Sequence, residues 1–131
     1  MTAETPEPLR PLVSLAGSLL AGQGSPRALL GEIDRVWALF DDFHRHSLEP
    51  ALSALSELDR APLARARREL IHGAVRFQEA LYRMEDSLME PRPADLRRGL
   101  RLLLEGVGLL QTGLHQVREY LLDEPGLLAV A

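Results

Sequence analysis

Glu69 and His72 stand three residues apart, and so do Asp41 and His44. On a helix this spacing puts a carboxylate and an imidazole on one face. Carboxylate-bridged di-iron bundles use that pair on two helices, with a glutamate from each of two more. Asp41, His44, Glu69 and His72 are therefore the candidate metal ligands. A buried metal needs ligands that point inward, yet Glu69 and His72 lie off the apolar seam of their segment, as do His115 and Glu119. The expectation is solvated surface residues, with no metal, no other cofactor and no catalytic residue assigned. His44 differs, because it follows Leu30 and Trp37 at intervals of seven on a half-apolar stripe. It is expected as a structurally satisfied boundary histidine, or in a polar pocket with Asp41, whose charge would favour the imidazolium form.

A third chemistry is phosphoryl carriage on His72. Histidine phosphotransfer domains place lysine and then glycine at the third and fourth positions after their histidine. Here Gly73-Ala74-Val75-Arg76 follows His72, so the pair is missing. Other chemistries fall to composition. The chain has no cysteine, which excludes disulfides, thiolate metal sites and a cysteine nucleophile. All 15 basic residues are arginine, so a lysine Schiff base and a lysine-bearing phosphate loop are excluded too. No nucleophile elbow or zinc-helix motif occurs. The net charge of −4 leaves neither half of the chain with the positive field that nonspecific nucleic-acid binding needs.

The elements that would carry these residues are helices. Leucine fills 28 of 131 positions, while Val, Ile and Thr are scarce, which argues for an all-α chain. The absence of Lys and Asn, with little Ile, suggests a GC-rich bacterial genome by codon usage. Residues 1–8 read as a disordered lead, residues 9–124 as one helical-bundle domain, and residues 125–131 as an apolar tail. A first helix begins at Leu9 and ends near Gly22. Ser25-Pro26 is a capping serine with proline in the first turn, and opens a second helix whose seam is Leu29, Ile33, Val36, Phe40 and Phe43. Ser47 and Pro50 predict a kink or restart, then a short helix through Leu48, Leu52, Leu55 and Leu58. The fourth helix is expected over roughly 62–89 and the fifth over roughly 94–123. Both carry apolar seams with alternating steps of four and three, and Pro91-Arg92-Pro93 turns the chain between them. Such a pair predicts an antiparallel hairpin at the centre of a bundle of four to five helices.

Each hairpin helix also carries small residues every seventh position: Ala66, Gly73, Ala80 and Ser87 on one, Gly99, Gly106 and Gly113 on the other. With Gly108, the helical glycines would cost roughly 4–5 kcal/mol relative to alanine. Close approach of the two backbones would offset that, at the low end of the about 8–10 Å separation of packed helices. Gly106→Leu should then destabilise the fold strongly.

Leu102 and Leu109 sit beside the main seam. They make the fifth helix buried on several sides, or form a dimer or partner surface. The tail, with Leu127 and Leu128, would dock on its own bundle, enter a groove on another protein, or mark the chain for a protease. Arg65, Arg67 and Arg68 form one basic cluster and Arg97, Arg98 and Arg101 another, read as solvated faces or as docking points for an acidic partner. The uncharged stretch 11–24 is too short to span a bilayer and contains three glycines. Together these readings favour a non-catalytic, cytoplasmic bacterial bundle acting in protein–protein interaction or as a homodimer, with no membrane insertion. The alternatives are a metal-binding or enzymatic bundle and a phosphate carrier.

Overall fold

The computed structural model describes the backbone of residues 5–58, 61–89 and 92–123. Among these the chain forms α1 (Arg10–Leu20), α2 (Pro26–Phe43), α3 (Glu49–Leu58), α4 (Ala61–Met89) and α5 (Pro93–Asp123), with no strand. It is an all-α bundle built around the α4–α5 hairpin.

The helix ends follow local chemistry. The α1 C-terminus closes with Gln23 N–H on the Ser18 carbonyl (2.8 Å) and Gly22 N–H on that of Leu19 (3.0 Å). This closure needs a left-handed residue, and Gly22 supplies it at φ +81°. At the start of α2, Ser25 Oγ accepts from Ala28 N–H at 3.3 Å, with Pro26 in the first turn. The disorder expected for residues 1–8 does not hold for the described part. Glu7–Leu9 form a 3₁₀ turn, Leu9 is buried, and the Pro8 carbonyl accepts from Arg35 on α2. An apolar anchor and a charge-assisted bond outweigh the polar composition there. Residues 1–4 lie outside the described residues.

The kink or restart expected near Pro50 takes the form of a π-helical turn, His44–Leu48, that runs from α2 into α3. Glu49 N–H donates to the His44 carbonyl five residues back. The proline ring would clash with the carbonyl four residues behind it, and the wider turn accommodates it without breaking the helix.

The core is continuous. Leu12 and Ala16 of α1, Leu29, Ile33, Val36 and Phe40 of α2, Leu70, Phe77, Leu81 and Met84 of α4, and Leu96, Leu103, Val107 and Leu110 of α5 form one buried cluster. Phe40 and Phe77 stack across it, with ring centres 4.8 Å apart and planes 14° apart.

The hairpin is held at backbone contact. A Cβ on Gly106 would sit 2.8 Å from the Gly73 carbonyl oxygen and 2.9 Å from Phe77 N. One on Gly73 would sit 2.9 Å from both the Gly106 carbonyl oxygen and Leu110 N. A Cβ on Gly113 would sit 3.1 Å from the Ala66 carbonyl oxygen, and one on Gly99 would sit 3.3 Å from that of Ala80. The facing pairs thus advance seven residues on one helix as they retreat seven on the other. Ala66, Ala80 and Ser87 are buried, and Ser87 Oγ donates to the Met84 carbonyl at 2.7 Å. Gly108, off this face, has open space around it.

Candidate functional site

The four ligand candidates are not brought together. Asp41 pairs with Arg45 one turn on, at 3.2 Å. His44 turns instead toward Glu49, 3.9 Å away across the π turn, and its ring sits tilted beside that of Phe40, with centres 6.1 Å apart. His46 pairs with Asp42 at 3.4 Å. Of the two settings expected for His44, a boundary position or a polar pocket with Asp41, the pocket does not form, because the wider turn brings Glu49 to the histidine while Arg45 takes Asp41. On α4, Glu69 reaches back to Arg65, whose Nε–H donates to Glu69 Oε1 at 3.2 Å. The other oxygen of Glu69 is buried without a hydrogen-bond partner. His72 is exposed, and the next residue, Gly73, is pressed against α5. His115 pairs with Glu119 at 3.3 Å on an exposed face. Among the described residues, no three histidine or carboxylate side chains converge as a metal site would require.

The apolar surface is more informative. Ile71, Val75, Tyr82 and Met89 are all exposed, Tyr82 by 60% and Met89 by 84%. Steps of four, seven and seven put them in one row along the outer face of α4, to one side of the core seam. α2 borders this row. Trp37 meets Tyr82 edge-on at 4.9 Å, and its indole N–H donates to Glu85 Oε1 at 2.8 Å. That bond ties α2 to α4 across 48 residues of chain. Leu30, seven residues before Trp37, is also exposed. Leu102 and Leu109 are half-buried, and Leu102 packs against the core. The larger exposed apolar row thus lies on α4, not at the α5 positions expected from the leucine pattern. Its spacing is readable in the sequence. What the sequence hides is which flank of α4 the other helices leave open.

Two further surfaces stand out. Arg97, Arg98 and Arg101 line a shallow polar depression with Leu102 and Glu105, and Glu105 itself pairs with Arg76 of α4 at 3.6 Å. On the opposite flank, an apolar groove of about 270 Å³ opens between the N-terminal turn, α2 and α5, with the Phe40 and Phe77 rings in its wall. The tail residues Leu127 and Leu128 lie outside the described residues. No helix among those described is long and apolar enough to cross a membrane. Comparison with known protein families, curated proteins and solved structures finds no match.

Proposed function

We propose that this chain is a non-catalytic, cytoplasmic bundle protein of bacterial type that assembles with a second copy of itself through the outer face of α4. The observation that carries the reading is the exposed row Ile71, Val75, Tyr82 and Met89. A lone exposed leucine is ordinary, whereas an apolar row along a helix is the kind of surface that association buries.

The charges flanking the row support a second copy as the partner. Arg68 precedes the row and Asp86 lies near its far end, both exposed and on the same side of it. A two-fold axis across the middle of α4 runs the two helices antiparallel. It brings Val75 to the second copy's Tyr82 and Arg68 within reach of the second copy's Asp86. A closed isologous contact requires this self-complementarity. Leu102 and Leu109 offer a smaller second surface. The separate pairing of Asp41, His44 and Glu69 supports a non-catalytic role, and the −4 charge argues against a nucleic-acid partner.

Light scattering on the purified chain tests this. The wild type should be a dimer at micromolar concentration. Val75→Glu and Tyr82→Glu should be folded monomers, while Leu109→Glu should stay dimeric. A monomeric wild type at about 100 µM, where an association of only about −5.5 kcal/mol would already show, or dimers unaffected by both α4 variants, refutes the surface.

A further inference from the structure

Gly99 and Gly106 turn toward α4, so residues two places to either side of them lie on the opposite, outer side of α5. These are Arg97, Arg101, Leu104 and Gly108, at steps of four, three and four. Among the described residues this line is open. Arg97 and Arg101 are exposed, Leu104 is 43% exposed, and a Cβ on Gly108 would meet nothing within 4 Å. Two of its features work against the chain on its own. Gly108 weakens the helix and, unlike Gly99 and Gly106, gains no close approach in return. Arg97, Arg98 and Arg101 stand within about one turn, where like charges three and four residues apart repel. None of the three has a carboxylate partner among the described residues. The acids beside them on α5 are engaged elsewhere, Asp95 with Arg92 and Glu105 with Arg76 of α4, each at 3.6 Å. Local choices that weaken a chain without internal compensation are expected where a partner completes the structure.

The geometry points to a docking surface on the outer side of α5 for an acidic helix of another protein. Carboxylates spaced along such a helix would meet Arg97, Arg98 and Arg101, whose planar guanidinium forks suit them. Its apolar side would cover Leu104, and the bare backbone at Gly108 would let the two axes come close. Steps of four and three are what one helix presents to another lying along it. A phosphate backbone would use the arginines but has no need of the leucine or the glycine, and the net charge of −4 opposes it. Ile71, Val75 and Tyr82 stand two places from the small stripe of α4 in the same way, so the α4 row lies on the far side of the hairpin and neither reading depends on the other.

Selection from a displayed library of helical peptides tests this, with the purified full chain as target. Peptides of about 20 residues are long enough to hold a helix, and one face is varied among Asp, Glu, Lys, Arg, Ala and Leu. The peptides retained should carry acidic residues at steps of three and four. By fluorescence anisotropy, Arg101→Glu and Gly108→Leu should each weaken their binding at least about tenfold. Arg27→Glu, the same charge change at an exposed position of α2, should weaken it less than about twofold. Gly108→Leu keeps its fold because its Cβ has open space, and circular dichroism checks this. No acidic enrichment, an equal loss with Arg27→Glu, binding indifferent to Gly108→Leu, or inorganic polyphosphate bound as tightly as the peptides overturns the inference. So does a wild-type oligomer that Gly108→Leu dissociates, since a second copy would then fill the surface.

Discussion

Alanine is the better helix former, so replacing an interior helical glycine should stabilise a helix by about 0.8–1 kcal/mol. Gly106 and Gly108 lie two residues apart on α5 and should respond with opposite sign. At Gly108 nothing lies within 4 Å of the new Cβ, so Gly108→Ala should gain the full propensity term. At Gly106 the new Cβ meets the Gly73 carbonyl oxygen at 2.8 Å and Phe77 N at 2.9 Å, both backbone atoms that no rotamer change can move. Ordinary contact requires the two helices to separate by about half an ångström, with loss of packing along the hairpin. Overpacking of this kind costs about 1–3 kcal/mol. After the propensity gain, Gly106→Ala should lose up to about 2 kcal/mol, a fall in Tm of up to about 7 °C for a domain of this size. Gly106→Leu should lose considerably more. Urea and thermal unfolding of the three variants would read the differences. If Gly106→Ala and Gly108→Ala both stabilise, the two backbones do not touch and the reasoning on the hairpin is refuted.

The same logic grades the other positions. Gly99→Ala meets mainly the flexible Met84 Cγ, at 2.7 Å, so it should be within about 0.5 kcal/mol of wild type by urea unfolding. Glu85→Leu removes the acceptor of the Trp37 indole N–H, and a half-buried bond to a carboxylate is worth about 1–2 kcal/mol. Since Trp37 is the single tryptophan, its fluorescence should shift measurably in that variant. Ser25→Ala removes the α2 cap and should cost about 1 kcal/mol in the same unfolding assay. Phe40→Ala deletes one of the stacked rings at the groove and should cost about 3–5 kcal/mol.

The hairpin was legible in the sequence because two periodicities agree along it. The apolar seams place the core, and the seven-residue small stripes place the facing backbone. Ser25-Pro26 and Gly22 marked their helix ends for reasons that act within a few residues. The π turn was not legible. Pro50 signals that an ordinary helix cannot continue, but whether the chain breaks or widens depends on how burial of Leu48 and Leu55 holds α3 in place. The Asp41–His44 pairing failed although the two share a face of regular helix, because Arg45 takes Asp41 and the π turn beyond His44 brings Glu49 to the histidine. The exposed α4 row was present as a spacing. Which flank stays open is set by where α2 crosses α4, and that rests on Trp37 meeting Glu85 and Phe40 meeting Phe77 over long separations in the chain.

The matched stripes restrict how the hairpin can slide. Shifting α5 along α4 by one to six residues would set a full side chain against a neighbouring backbone. The next arrangement that keeps small residues opposite one another lies one heptad away, about 10.5 Å along the axis. Alignment is therefore discrete, like a key with evenly cut notches. The short connection between Met89 and Pro93 is too tight for a whole notch, so a single alignment survives. Uniform leucine seams alone would leave neighbouring registers nearly equal in energy. The glycines make the hairpin's register unique as well as its spacing close.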